Sequence, residues 1–134
     1  MIDSRTAAQV AIYSALNVVA LTDQADVWQD APEGTEPSPR GLVVIGLASI
    51  SNMAGKDGGF DEVTIDVLAY LRKPDATAIY ALSTSVRNLI EGQPMTAAGA
   101  AISRPEFVSA EAEQWPDGET YQDRLTFRMF VQSA

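Results

Sequence analysis

Residues 60–72 carry the feature that most limits the fold of this chain, a long alternation of apolar and polar side chains. Every second position in the segment is apolar, namely Val63, Ile65, Val67, Ala69 and Leu71. Because neighbouring side chains of a β-strand point to opposite faces, the alternation predicts a strand with one buried and one accessible face. Its thirteen residues would span roughly 40 Å at about 3.3 Å each, so a bulge or bend is expected.

Two further strands are predicted before this one. Residues 25–29 form a short strand, and residues 41–50 are apolar enough to be covered on both faces. Gly46, inside the second of them, predicts a bulge or a close backbone contact. The connections at residues 31–41 and 51–59 are rich in proline or glycine, so they are predicted to be loops.

Two helices are predicted from apolar residues at helical spacing. The first covers residues 5–19, and either Asp3 or Ser4 can cap its first turn. The second follows its cap residue Asp75 and runs to Glu91, where a glycine comes next as a stop signal.

Near the C-terminus, residues 108–113 and 124–131 again alternate, and a turn at residues 115–119 separates them. A linker of small residues at 93–101 precedes this pair. The chain is therefore predicted to be a single α+β domain over residues 1–134. Its expected architecture is a mainly antiparallel, mixed sheet of about five strands with two helices packed on one face.

Composition excludes several classes of function. The chain has no cysteine and no histidine, which removes disulfides, thiolate metal sites, cysteine nucleophiles and the commonest general base. A formal net charge of −9 disfavours nucleic-acid binding, which depends on neutralising phosphates. No apolar run is long enough to cross a membrane, and no signal peptide is recognised, so the protein is expected in the cytoplasm of the cell that makes it.

Clustered carboxylates are the only candidates for chemistry. Asp57, Asp61 and Glu62 could bind Ca²⁺ or Mg²⁺, although an acidic hairpin tip explains them equally well. Asp23 and Asp26 could act as an acid–base pair or lie solvated in a loop. The interpretation without a chemical role is favoured in each case. We therefore predict that the chain has no catalytic residue, no metal ligand and no cofactor, and that it is not an enzyme.

Other residues are predicted to lie at an interface between subunits. Alternation places Arg124 and Arg128 on one face of the last strand, where salt bridges across the sheet or between subunits are favoured over ligand binding. Trp28 and Trp115 flank loops, and each could be either a core anchor or an interface contact.

The loop at residues 51–59 is expected to become ordered only against a neighbouring subunit or another partner. Three of its residues are glycine, and Met53 is its only large apolar side chain. Met53 is predicted to be the anchor in that contact, and Lys56 is predicted to meet an acidic neighbour. A plain solvent-exposed hairpin tip is the alternative.

The order of these segments resembles a known protein family. The resemblance is carried by Ala11-Ile-Tyr-Ser-Ala-Leu16, Val43-Val-Ile-Gly46, Glu62-Val-Thr-Ile-Asp-Val-Leu-Ala-Tyr70, Val86-Arg-Asn-Leu-Ile-Glu-Gly92 and Trp115-Pro-Asp-Gly-Glu-Thr-Tyr-Gln122. In these segments, and over about residues 6–132, the chain is similar to the tail-terminator or tail-completion proteins of long-tailed, non-contractile bacteriophages, prophages and gene transfer agents.

The resemblance implies a structural role in the virion. Proteins of that family form a ring of six copies that ends the tail tube and meets the head connector. The expected partners are therefore further copies of the chain, the tail-tube protein and the connector protein, with assembly in the cytoplasm of the bacterial host. DNA would only pass through the lumen, without specific binding, and no membrane is involved. The alternatives are another small virion component, such as a head-closure or minor tail protein, and a small α+β ligand-binding or regulatory module.

Overall fold

A computed structural model describes residues 3–29, 41–52, 60–72 and 75–133. Within these ranges the chain forms three helices and six strands. In chain order they are α1 (Ser4–Leu16), α2 (Val19–Thr22), β1 (Asp26–Trp28), β2 (Leu42–Asn52), β3 (Asp61–Arg72), α3 (Ala76–Ile90), β4 (Ala100–Ile102), β5 (Glu106–Gln114) and β6 (Thr120–Ser133).

All six strands join one mixed sheet in the order β1-β2-β3-β6-β4, and β5 pairs with β6 beside β4. Only the β1–β2 pair is parallel. The predicted α+β class and mainly antiparallel sheet are confirmed. The predicted linker at residues 93–101 was too long, because its end belongs to β4. Three small or apolar residues, Ala-Ala-Ile, give no alternation from which such a strand could be recognised.

The first predicted helix was also too long. Asp3 caps α1 as expected, with its side chain accepting from the backbone N–H of Arg5, but the helix ends at Leu16. The chain then breaks and begins the short α2. Leu16 and Leu21 are both fully buried, although a continuous helix would place residues five positions apart about 140° from each other. The break lets both leucines reach the core, and it leaves Val19, predicted as part of the apolar face, 71% exposed.

The predicted boundaries of α3 are confirmed. The Asp75 side chain accepts a 2.8 Å hydrogen bond from the backbone N–H of Thr77, which satisfies one of the free donors of the first turn. The helix ends at Ile90, and Gly92 has a positive φ of 70° beyond it. Such a conformation favours glycine.

The core lies between the helices and one face of the sheet. The apolar residues predicted for β3 are all buried, and they face α1 and α3 together with the alternate residues of β6. Phe127, Ile12 and Leu16 are among the largest fully buried side chains. A 2.6 Å hydrogen bond from the Ser4 hydroxyl to Asp61 Oδ2 ties the start of α1 to the start of β3.

Candidate functional site

The sheet face opposite the helices carries most of the charge of the strands. β3 and β6 run antiparallel without a register shift, so their alternate residues lie together on this face, which we call the bare face. Its acidic members on β3, β5 and β6 are Glu62, Asp66, Glu106, Glu111 and Glu113, and its basic members on these strands are Arg72, Arg124 and Arg128. Carboxylates therefore outnumber cations there.

Arg124 and Arg128 lie on the bare face, and their surroundings differ. Arg128 pairs with Glu106 of the neighbouring strand, and this hydrogen bond raises the pKa of Arg128. Arg124 lies opposite Glu111 in the β5–β6 register and is exposed. Among the residues that the structure describes, it forms no ion pair, so its charge is available to another molecule.

The turn of the β5–β6 hairpin is organised by one carboxylate. Asp117 accepts hydrogen bonds from the backbone N–H groups of Glu119 and Thr120, and from the Thr120 hydroxyl at 2.7 Å. These hydrogen bonds lower the pKa of Asp117 below its ordinary value of 3.8, and the bond from Glu119 has the largest effect. Trp115 closes the hairpin by packing edge-on against Tyr70 and by donating from Nε1 to Gln122.

Replacing Asp117 with asparagine is expected to lower the melting temperature by a few degrees at neutral pH. A carboxyl group whose pKa is lower in the folded than in the unfolded state stabilises the fold at pH values above its unfolded-state pKa. That stabilisation is lost as the pH falls through its folded-state pKa. The difference from the unmodified protein should thus shrink as the pH falls through the lowered pKa of Asp117 and disappear once that carboxyl group is protonated. Thermal unfolding followed by circular dichroism from pH 2 to 7 measures it. Glu119→Gln, in the same turn, is the control, and an equal loss in that variant would contradict the assignment.

β5 forms one open edge of the sheet. It pairs with β6 on one side, and no described strand pairs with its other side. All of its side chains except Phe107 are exposed. Phe107 packs edge-on against Phe127, with ring centroids 5.9 Å apart, and the Arg87 guanidinium lies 3.7 Å from its ring centroid.

A groove of about 170 Å³ separates β5 from α3. Its apolar lining comes mainly from Phe107, Ala110 and Leu125. Polar side chains line it as well, and two of them, Ser83 and Asp123, are nearly buried, with 7% and 4% of their surface exposed. Ser83 Oγ and Asp123 Oδ1 have no hydrogen-bond partner within the described chain. Buried polar atoms are normally paired, so both atoms mark this groove as a place where another polar group can bind.

The opposite edge of the sheet is open along most of β2. β1 pairs only with residues 42–44, and no described strand pairs with residues 45–52 on that side. A bulge between Ile45 and Ala48 confirms the irregularity predicted from Gly46. A Cβ atom at position 46 would lie 3.0 Å from the Asp66 carbonyl oxygen, so a side chain there would crowd the neighbouring strand. The bulge presents Leu47 to solvent with 94% of its surface exposed.

The remaining residues singled out in the sequence are not brought together within the described part of the chain. Trp28 is at the end of β1 and is 39% exposed. Met53, Lys56 and Asp57 lie outside the described residues, as does most of both predicted loops. Asp61 is bonded to Ser4. The sequence did not reveal the two open edges or the α3–β5 groove. Gly46, which indicated the irregularity in β2, was the only signal near any of them.

No group of three or more potential metal-binding side chains occurs among the described residues. In the same part of the chain, no helix is long and apolar enough to cross a membrane.

Comparison with known proteins shows that a chain with this fold belongs to the class of structural proteins of a virion tail. The family model described as "Tail completion protein gp17" matches residues 10–132, so the chain belongs to that family. It is a family of structural tail proteins and not of enzymes. The chain is thus a component of a phage-like particle, where it contacts other virion components. The predicted membership of a tail-completion family is confirmed.

Two solved structures share the fold. A chain in the structure "Virion of native gene transfer agent (GTA) particle" is 18% identical, with a TM-score of 0.83 over 99% of this chain and 100% of that chain. A second chain, without a stated function, is 16% identical, with a TM-score of 0.58 over 97% of this chain and 94% of that chain. None of the curated proteins matches the sequence.

Proposed function

We propose that this protein terminates the tail tube and joins it to the head connector as one subunit of a ring of six copies. The family match over residues 10–132 is the observation that carries the proposal. The whole chain, residues 1–134, acts as one tail-terminator-like domain. It assembles in the bacterial cytoplasm on the tail-tube protein and then receives the connector protein.

The shape of the sheet supports a ring. A ring subunit needs two different contact surfaces, one on each side, because head-to-tail contacts close into a ring when the rotation between copies allows it. Among the residues that the structure describes, this sheet has two open edges of different character, β5 on one side and the second part of β2 on the other. Two different edges fit head-to-tail contact better than the self-complementary contact of a two-fold dimer.

Charge supports a passage for DNA without binding. The chain has a formal net charge of −9, and carboxylates outnumber cations on the bare face of the sheet. If that face lines the lumen, it repels phosphate groups and offers few cations to retain DNA. DNA then moves through the ring without specific contacts.

The interface residues proposed from the sequence fall into two groups. Trp28 and Arg124 are exposed, and each can contact a neighbouring subunit or another virion protein. Arg128 can do so through the part of its side chain that the pair with Glu106 leaves accessible, which is 43% of its surface. Met53 and Lys56, which lie outside the described residues, keep the role proposed for them as partner contacts.

Deletion of the gene from the phage or gene transfer agent that encodes it tests the proposal. We expect tail tubes of uncontrolled length and heads without tails, because no ring stops tube growth or binds the connector. Electron microscopy measures tube length and the fraction of joined particles, and a plasmid copy of the gene should restore both. Tails of normal length that fail to join heads would assign the chain to head closure instead. Normal, joined particles would remove it from tail completion altogether.

A further inference from the structure

The two open edges of the described sheet are similar in length and run in opposite directions. The open part of β2 covers residues 45–52, and β5 covers Glu106–Gln114. β2, β3, β6 and β5 alternate in direction, because each neighbouring pair among them is antiparallel. A rotation about an axis parallel to the strands preserves their direction. If such a rotation relates two neighbouring copies, β5 of one copy lies beside β2 of the next copy and runs antiparallel to it.

The charges of the two edges also fit. β5 carries Glu106, Glu111 and Glu113, whereas residues 45–52 contain no charged residue. The competing edge strand, β1, carries Asp26 and follows Asp23. Like charges on directly opposite strands are destabilising. Acidic β5 is therefore better matched to the uncharged part of β2 than to β1.

Each edge supplies half of an apolar contact. Leu47 projects from the β2 bulge almost completely exposed, and the groove beside β5 is lined by Phe107, Ala110 and Leu125. Cavities of about 150 Å³ with apolar walls accept a group as large as benzene, so a groove of about 170 Å³ accommodates a leucine side chain. Leu47 also lines a second groove, beside α1, with Thr6 and Gln9 of that helix. Both features therefore lie beside the helices, where they can meet.

We propose that the copies of this chain are joined by antiparallel pairing of β5 with the open part of β2 in the next copy, with Leu47 entering the α3–β5 groove. Backbone N–H and C=O groups on both edges, which no described strand of the single copy pairs, become paired. A donor group of the incoming copy can then reach Ser83 Oγ or Asp123 Oδ1. This inference rests on the proposed ring and names the contact that builds it.

Cysteine cross-linking tests the contact directly, because the chain has no cysteine of its own. The double variant Leu47→Cys/Ala110→Cys, assembled into particles and oxidised, should give a covalent series that ends at the closed ring. Each single variant, oxidised alone, should give no such series. The pair Asp26→Cys/Ala110→Cys, which tests β1 as the alternative edge, should also give none.

The cross-linking results separate the inference from the proposed function. Glutaraldehyde treatment of the same particles reports whether copies of the chain are neighbours at all. Neighbouring copies with no 47–110 disulfide, or with a 26–110 disulfide in its place, overturn the inference and leave the ring intact. Absence of neighbouring copies overturns the ring proposal and the inference together.

Substitution of Leu47 with aspartate provides an independent measurement. Because Leu47 is 94% exposed, the folded monomer should keep its melting temperature. Association between copies should weaken about tenfold or more, since a contact worth over roughly 1.4 kcal/mol is lost. Val19→Asp is the matched control, because Val19 is also largely exposed, at 71%, but lies on α2. Equal association in both variants, measured by native mass spectrometry and by incorporation into particles, would overturn the contact.

Discussion

Replacing Phe127 with alanine is expected to destabilise the protein by about 3–5 kcal/mol, the usual cost of emptying a buried phenylalanine site. Phe127 is fully buried in the middle of β6. It lies between Ile65 of β3 and Phe107 of β5, so its ring contacts both halves of the sheet. A domain of this size is stabilised by roughly 5–15 kcal/mol in total, so the variant should lose a large part of its stability.

Equilibrium unfolding in urea, followed by circular dichroism, measures the loss as a change in the free energy of unfolding. Phe60→Ala is the matched control, because Phe60 has the same side chain but is 48% exposed and precedes β3. That variant should lose under about 1 kcal/mol, as surface substitutions usually do. Similar losses in the two variants would mean that the core is not centred on β6.

The second large effect is expected at Gly41, just before β2. Its φ of 98° is one that side chains rarely adopt. A Cβ atom there would lie 3.2 Å from the Gln24 carbonyl oxygen and 3.3 Å from both Ala25 Cβ and Leu82 Cδ2. Backbone strain costs about 1–2 kcal/mol and overpacking about 1–3 kcal/mol, so Gly41→Ala should destabilise the protein by about 3 kcal/mol.

Two other glycines separate the strain from the crowding. Gly92 and Gly118 also have positive φ values, 70° and 74°, but a Cβ atom at either would have no neighbour within 4 Å. Gly92→Ala and Gly118→Ala should therefore cost only the strain, about 1 kcal/mol each. Urea unfolding of the three variants gives the comparison. If Gly41→Ala were no worse than the other two, the packing described around Gly41 would be wrong.

The sequence predicted what short-range patterns determine. The alternation in β3 and β6, the cap at Asp75 and the irregularity at Gly46 each depend on residues that are close in the chain, and the structure has all of them. The break after Leu16 was missed, because the apolar spacing continues across it and only the position of the core separates the two helices.

The candidate surfaces were less predictable, because they depend on which strands become neighbours. Alternation placed Arg124 and Arg128 on one face, but it could not indicate that, of the two, only Arg128 would form an ion pair within the described chain. An open edge is likewise a property of the whole sheet order. Nothing in the residues of β5 indicates that no described strand pairs with its far side, or that α3 leaves a groove beside it.

The central position of β6 has a consequence for how the protein is made. β6 is the last strand in the described chain, yet it pairs with β3, β4 and β5. Its contacts with β3 join residues as far apart as Asp61 and Val131. The sheet therefore cannot close until β6 has been synthesised, and non-local pairing of this kind makes folding slow. Before then β1, β2 and β3 can pair, but β4 and β5 lack the strand against which they pair. Closure of the sheet, and with it the supply of complete subunits for assembly, accordingly waits for β6.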